Sequence, residues 1–264
     1  MGTLVRVSKA FFDLSGRVAV VVGGTTGLGR AISIGVAAHG ADVIPSGRRG
    51  EAVAEVCEEI RGLGRRTVEM TVDVTDRQSV TQLRDAALQM AGHIDILVNA
   101  AGVTFRKPTA DISHQEWSSL FDINLEGVLH ACQIFHGALK SSRAGRIINI
   151  ASLGSYVAFQ EVAAYCASKA AVLSLTRSLA VEWAHDNICV NAIAPGVFPT
   201  ELNSKLLLGT ERGREILMRT PMKRFGEPTE VVGAAVLLAS DGASFITGHC
   251  IAVDGGFLAS GVNS

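Results

Sequence analysis

The stretch Arg17-Val-Ala-Val-Val-Val22 runs straight into Gly23-Gly24-Thr25-Thr26-Gly27-Leu28-Gly29, and this junction decides the fold. A short, continuous, Val-rich run predicts a strand buried on both faces, as in a parallel sheet. Gly27 to His39 follows with Leu28, Ala31, Ile32 and Val36 at helical spacing, so a helix starts at the last glycines. Glycines let the backbone turn sharply and approach a phosphate closely. Free N–H groups at a helix start attract its charge. Gly23-x3-Gly27-x-Gly29 is one residue longer than the usual Gly-x-Gly-x-x-Gly. Alone it marks only a tight turn; between a strand and a helix it signals a dinucleotide.

Working outward, the same alternation repeats. Asp42 to Ser46, Thr67 to Val72, Ile94 to Val98, Arg146 to Ile150, Ile188 to Ile193 and His249 to Val253 read as further strands. Glu51 to Arg61, Asp76 to Met90, His114 to Leu139 (one long helix or two), Ala163 to Ala184 and Thr229 to Ala239 read as helices between them. Such alternation predicts an α/β, doubly wound, Rossmann-type parallel sheet of about seven strands with helices on both faces. No linker, repeat or low-complexity segment divides the chain, so residues 1–264 are expected to form a single domain. Pro195 to Pro228 is polar, helix-prone and holds four of the six prolines. An insertion at the carboxyl end of a strand is placed to cover a substrate, and residues 196–228 are the candidate lid.

Composition narrows the function. The chain has 264 residues, 48% hydrophobic and 19% charged, enough for one large core. A net charge of −1 gives no electrostatic footprint for nucleic acid or an anionic membrane. Cys57, Cys132, Cys166, Cys189 and Cys250 show neither Cys-x-x-Cys spacing nor partner histidines at ligand spacing. They read as free thiols in a reducing compartment, and no metal site is expected. Arg6 and Lys9 interrupt any signal-peptide core, and Arg6 stands where a myristoylation signal wants Ser or Thr. No apolar run reaches spanning length, so a cytoplasmic, membrane-free protein is expected.

Two tyrosines occur in the whole chain, and one begins Tyr165-Cys-Ala-Ser-Lys169. Residues four apart share a helix face. A phenol ordinarily titrates near ~10, and a neighbouring cation lowers that value. A phenol tuned in this way exchanges a proton with a substrate oxygen. The plain alternative is a half-buried aromatic with a solvated lysine one turn on. After the second strand, where NAD sites commonly place an acid at the adenosine ribose, the chain has Ser46-Gly47-Arg48-Arg49. Arg48 pairing with a 2′-phosphate would favour NADP(H) and leave NAD(H) open.

These pieces together resemble the classical short-chain dehydrogenases/reductases over nearly the whole chain. In the family's order come Gly23-x3-Gly27-x-Gly29, Asp73-Val74, Asn99-Ala-Ala-Gly102, Asn124, Ser152, Tyr165 with Lys169, Asn191-Ala-Ile-Ala-Pro195-Gly196, Thr200 and Val253-Asp254-Gly255-Gly256. Val22 replaces the family's threonine before the first glycine, and Ala100 its second asparagine. The resemblance implies hydride transfer between a nicotinamide and a ketone or secondary alcohol. Tyr165 exchanges the proton, Lys169 tunes it and holds the nicotinamide ribose, and Ser152 holds the substrate oxygen. Asn124 holds a water that links Lys169 to solvent, or only braces the helix. The implied cofactor residues are Gly23, Thr25, Thr26, Gly27, Leu28, Gly29, Arg48, Asp73, Val74, Asn99, Ala100, Gly102, Pro195, Gly196 and Thr200, with Tyr165 and Lys169.

The substrate is read from fewer residues. Phe105-Arg106-Lys107-Pro108, Gly196 to Asn203 and the ending from Asp254 resemble the sugar-acid branch of the family, the gluconate-type dehydrogenases, while Leu153-Gly154-Ser155-Tyr156 and Gln160-Glu161 offer hydrogen bonds to substrate hydroxyls. Arg106 is the candidate carboxylate clamp, with Ser152 and Gly154 nearby. The alternative enzyme is a 3-oxoacyl-carrier-protein reductase, against which stands the uncharged pair Gly137 and Val181 where carrier-docking cations are expected. A catalytically silent nucleotide-binding subunit is the third reading. By resemblance, Val128, Ala131, Ile134, Val172, Leu175, Leu179 and Trp183 divide between the sheet and a second subunit, giving a homotetramer.

Overall fold

The computed structural model describes residues 9–142, 144–200 and 204–262. Glu201, Leu202 and Asn203 of the candidate lid lie outside the described residues, as do the first eight residues used in the signal-peptide and myristoylation arguments. The strands and helices alternate as follows: β1 (Val18–Val22), α1 (Gly27–Ala38), β2 (Asp42–Gly47), α2 (Gly50–Gly62), β3 (Met70–Thr71), α3 (Arg77–Ala91), β4 (Ile96–Asn99), α4 (His114–Phe121), α5 (Gly127–Ser141), β5 (Gly145–Ile150), α6 (Ala163–Trp183), β6 (Ile188–Pro195), α7 (Ser204–Leu207), α8 (Glu211–Arg219), α9 (Val232–Ala239) and β7 (Cys250–Val253). The seven strands form one sheet in the order β3-β2-β1-β4-β5-β6-β7. All six pairings are parallel.

Period-two alternation in β1 explains the two layers. Val18, Val20 and Val22 point to one face, where they meet α3 (Val80, Leu83), α5 (Val128, Phe135) and α6 (Val172). Ala19 and Val21 point to the other, where they meet α1 (Ile32, Val36), α2 (Val56, Ile60) and α9 (Ala235, Leu238). All five residues of β1 are buried. Each fully buried valine contributes roughly 1.5–3 kcal/mol, so a polar substitution anywhere in this strand would unfold the sheet's centre.

Two elements start three residues later than the sequence reading has them, and the choice left open at His114 is decided. The Thr67 to Val72 strand shrinks to Met70–Thr71, because it is the sheet edge and Glu69 and Thr71 face solvent. The segment from His114 is two helices joined by a π-helical turn, Asp122–Glu126. The helix expected from Thr229 begins as a 3-10 turn, Pro228–Val231, since proline fixes the first turn and α9 takes over at Val232.

The order of the sheet places the functional end. The chain crosses from one side of β1 to the other after β3, so β1 and β4 diverge at their carboxyl ends. The 196–228 segment rises from the carboxyl end of β6 and is held by hydrogen bonds both within itself and to the rest of the chain. Gly226 N donates to the Val197 carbonyl at 3.0 Å, and Met222 N to the Gly255 carbonyl at 3.2 Å.

Candidate active site

A cleft of about 580 Å³ opens at the carboxyl ends of β1 and β4. Its floor is the glycine turn. Gly23 has φ +78°, and a Cβ there would stand 2.4 Å from Ala101 N. A Cβ on Gly29 would stand 2.0 Å from the Gly23 carbonyl oxygen. Thr26 precedes α1 without a side-chain capping bond, which leaves the first-turn N–H groups of α1 to the cleft. This cradle, with glycine required at its closest approaches, fits the pyrophosphate of a dinucleotide.

Ser33 is the part that motif reasoning missed. Its buried hydroxyl bonds the Gly24 carbonyl at 2.9 Å and the Gly29 carbonyl at 3.0 Å, bracing the turn from below. The signal was Val22: where the usual threonine hydroxyl is missing, another hydroxyl has to hold the turn. Arg49, Val103, Ile150 and Phe198 also line the cleft and carry no motif.

Of the seventeen sequence-derived cofactor residues, all but Asn99 line this cleft. Asn99 is 3% exposed and sits behind the wall, where its Nδ2 donates to Asn149 Oδ1 at 2.8 Å. Asn149 Nδ2 in turn donates to Thr176 Oγ1 at 2.9 Å. Asn99 thus ties β4 to β5 and α6 instead of facing the cleft. Asp73 and exposed Arg48 both line it. The Asp73 carboxyl is held below its ordinary range by bonds from Thr75 N and Thr75 Oγ1 at 2.9 and 2.8 Å, with a smaller contribution from Arg48.

The chemistry-bearing side chains converge on the inner wall. Ser152, at the end of β5, starts a 3-10 turn, and its Oγ accepts from Gly154 N at 3.1 Å. That bond occupies an acceptor lone pair and leaves the hydroxyl proton free to point outward. The Ser152 hydroxyl lies near enough to the Tyr165 phenol to favour its charged form. Lys169, 4% exposed, donates from Nζ to the Ile150 carbonyl at 2.7 Å and lies 5.9 Å from the centre of the Tyr165 ring. Burial lowers the Lys169 pKa from 10.5 to about 8. Burial also raises the phenol of Tyr165, with Ser152 pulling it partly back. The direction is opposite to the expected lowering by Lys169: desolvation is the largest influence on the phenol.

Asn124 lies in the π turn, fully buried. Its Oδ1 accepts from Val103 N at 2.8 Å, and its Nδ2 donates to the Val103 carbonyl at 2.9 Å and to Ser168 Oγ at 3.1 Å. It ties the loop after β4 to α6 one residue before Lys169. The π turn offsets the helix register and turns this side chain inward.

Two candidate substrate residues are placed elsewhere. Arg106 Nε pairs with Glu161 Oε2 at 2.5 Å, so the chain's own carboxylate already occupies the intended clamp. Gly154 is buried, and a Cβ there would meet Cys166 Sγ at 2.8 Å, so it supports the Tyr165 helix and does not line the cleft. A second cavity of about 350 Å³ adjoins the first at Gly196 and Phe198, bounded by Met222 and the Arg224–Glu230 ion pair. No cluster of three or more metal-ligating side chains occurs among the described residues, and no helix among them is long and apolar enough to cross a membrane.

A doubly wound sheet with a glycine-cradled dinucleotide cleft and a serine–tyrosine–lysine wall defines an oxidoreductase that moves hydride to or from a carbon bearing oxygen. The family described as enoyl-(acyl carrier protein) reductase matches residues 22–258. The chain is 39% identical over 249 residues to 2-dehydro-3-deoxy-D-gluconate 5-dehydrogenase of Dickeya dadantii, covering 94% of this chain and 98% of that one. It is 37% identical over 246 residues to NAD-dependent glycerol dehydrogenase of Listeria innocua, covering 93% and 95%. Among solved structures, gluconate 5-dehydrogenase of Burkholderia cenocepacia, in complex with NADP and tartrate, superposes with a TM-score of 0.90 at 34% identity, covering 95% of this chain and 98% of that one. The chain belongs to the short-chain dehydrogenase/reductase family. It is a dehydrogenase/reductase acting on CH–OH groups.

Proposed function

We propose that the chain interconverts a small polar sugar acid, gluconate-like in size and charge, with its keto form, and prefers NADP(H) to NAD(H). The observation that carries the reaction is the convergence of Ser152, Tyr165 and Lys169 on one wall of the dinucleotide cleft. When bound, the nicotinamide supplies or accepts the hydride. Ser152 donates its free proton to the substrate oxygen and holds it in reach of the phenol. Tyr165 gives its proton to a ketone oxygen or takes it from an alcohol. Lys169, anchored on the Ile150 carbonyl, holds the nicotinamide ribose.

The sugar-acid reading is supported by the names of the relatives from Dickeya and Burkholderia. Arg48, exposed on the cleft beside Asp73, supports NADP(H) by offering a guanidinium to a 2′-phosphate. The 196–228 segment serves as the substrate lid. Free cysteines throughout the described residues fit a reducing, cytoplasmic setting. In the proposed homotetramer α5 and α6 pair with their copies. Val128, Ala131, Val172 and Leu179 are buried against the sheet, which leaves Ile134, Leu175 and Trp183 partly covered, with 82%-exposed Val181 beside them.

The matched family's description favours an acyl-carrier thioester as the second reading. Against it, Gly137 and exposed Val181 offer no cation to an acidic carrier. The test is a turnover panel of gluconate-type acids with their keto forms, neutral polyols and acetoacetyl thioester, each with both cofactors. Highest kcat/KM on a sugar acid with NADP(H) is expected. Preference for the thioester would replace the sugar-acid reading, and dinucleotide binding with no turnover of any member would restore the silent subunit.

A further inference from the structure

The dinucleotide cleft occupies one side of Tyr165, so a substrate whose oxygen sits on Ser152 and Tyr165 extends to the other. The loop leading into the Tyr165 helix, Phe159–Gln160, is met by α8 and by Phe257. Phe159 and Phe257 are ring neighbours with centroids 6.0 Å apart, and Arg219 of α8 stacks its guanidinium 5.1 Å from the centre of the Phe257 ring. Arg212, half-buried on α8, crosses this gap and donates from Nη1 to the Gln160 carbonyl at 3.2 Å. Its charge reaches Cys166, the residue after Tyr165, and pulls against the upward push of burial on that thiol.

Arg212 is differently placed from Arg106. Arg106 spends its charge on Glu161. Arg212 has no carboxylate at ion-pair distance among the described residues, and its one hydrogen bond there goes to a neutral carbonyl. A half-buried guanidinium with spare, forked donors is a site for a planar anion. It is carried by the segment that covers the site and held at the loop leading into the Tyr165 helix. We propose that Arg212 is the specificity-determining residue that binds the carboxylate of the substrate. This rests on the sugar-acid reading above.

The experiment measures kcat/KM for a gluconate-type acid and for a neutral polyol of the same chain length in the wild type and in Arg212→Leu, Arg212→Lys and Arg214→Leu, with thermal melts of each. Arg212→Leu is expected to lower kcat/KM for the acid by about 10- to 100-fold, mostly through KM, and to change the neutral polyol by less than about threefold. Arg212→Lys restores part of the loss, because the charge returns without the fork. Arg214→Leu, exposed on the same helix, leaves both substrates as in the wild type. An equal loss on acid and polyol would show that Arg212 merely braces the Gln160 loop and would overturn the proposal. A wild type that uses the polyol and ignores the acid would sink the sugar-acid reading itself, which is visible before any variant is made.

Discussion

Lys169 Nζ donates 2.7 Å to the Ile150 carbonyl and stands 5.9 Å from the centre of the Tyr165 ring. The ammonium is therefore held by the last residue of β5 and buried behind the phenol. Its pKa falls to about 8 from 10.5 because burial disfavours the charged form. Between these values the unfolded chain keeps the Lys169 proton and the folded protein loses it. Folding stability therefore rises with pH across that window, and the penalty is complete below it. The penalty is worth about 3 kcal/mol at about 1.4 kcal/mol per pH unit. Lys169→Met should lose turnover and yet gain stability at pH 7, less the ~1–3 kcal/mol cost of orphaning the Ile150 carbonyl. Denaturant melts at pH 7, 8, 9 and 10 check this: the wild type should close on the variant as pH rises, and a constant difference would refute the assignment.

Tyr165→Phe should cut turnover by about 10²- to 10⁴-fold, the range of a positioned proton donor. Dinucleotide affinity should change by less than about threefold, because the phenol's proton takes no part in holding the pyrophosphate. Burial raises the Tyr165 phenol above its ordinary value. Alcohol oxidation in the wild type should accordingly keep rising with pH through the alkaline range, while ketone reduction falls there. A variant that retains turnover would remove Tyr165 from the reaction.

Gly29→Ala tests the cradle. The added Cβ would stand 2.0 Å from the Gly23 carbonyl oxygen, which is backbone and cannot rotate away. Either the turn opens or α1 shifts, and both misplace the N–H groups that face the phosphate. The expected result is loss of dinucleotide binding by more than about 100-fold in a fluorescence titration. The sheet should keep its circular dichroism, since Ser33 still holds the Gly24 carbonyl.

Arg48→Ala should raise KM for NADP(H) by about 10- to 100-fold, the worth of a charge-assisted contact to phosphate, and leave KM for NAD(H) within about threefold. Equal effects on both cofactors would mean that Arg48 acts on Asp73, and the preference would have to come from Arg49.

Why some of this was legible in sequence and some was not follows from particular residues. The β1–glycine–α1 unit reads directly, because backbone chemistry demands glycine at Gly23 and Gly29 and a double-sided burial demands the valines of β1. The Ser152, Tyr165 and Lys169 wall reads as spacing because α6 and β5 keep regular geometry. Asn99 misled, since an asparagine at a strand end can face either the cleft or the core, and only the Asn149–Thr176 ladder decides. Arg106 misled for a different reason: Glu161, 55 positions later, is brought to it by the loop before α6. Pairings between loops have no period, and Arg212 became visible only once α8 was seen lying against Gln160.

Asn124 separates two roles that its sequence position left open, a link in a water chain or a brace. All three hydrogen bonds of its amide are internal: two to the Val103 backbone and one to Ser168 Oγ, which itself donates to the Tyr165 carbonyl at 2.8 Å. The side chain is thus a brace between the loop after β4 and the Tyr165 helix. Asn124→Ala would leave the Val103 N–H and C=O without these partners in a partly buried place, at a cost of about 1–3 kcal/mol. Turnover should fall about 10-fold or more, because the Ala101–Gly102 wall of the cleft loosens against Lys169. A brace affects position and not proton supply, so the pH–rate profile of the variant should keep the wild-type midpoints at its lower amplitude. Midpoints displaced by a full pH unit, with the melting temperature unchanged, would assign the side chain to the proton path instead.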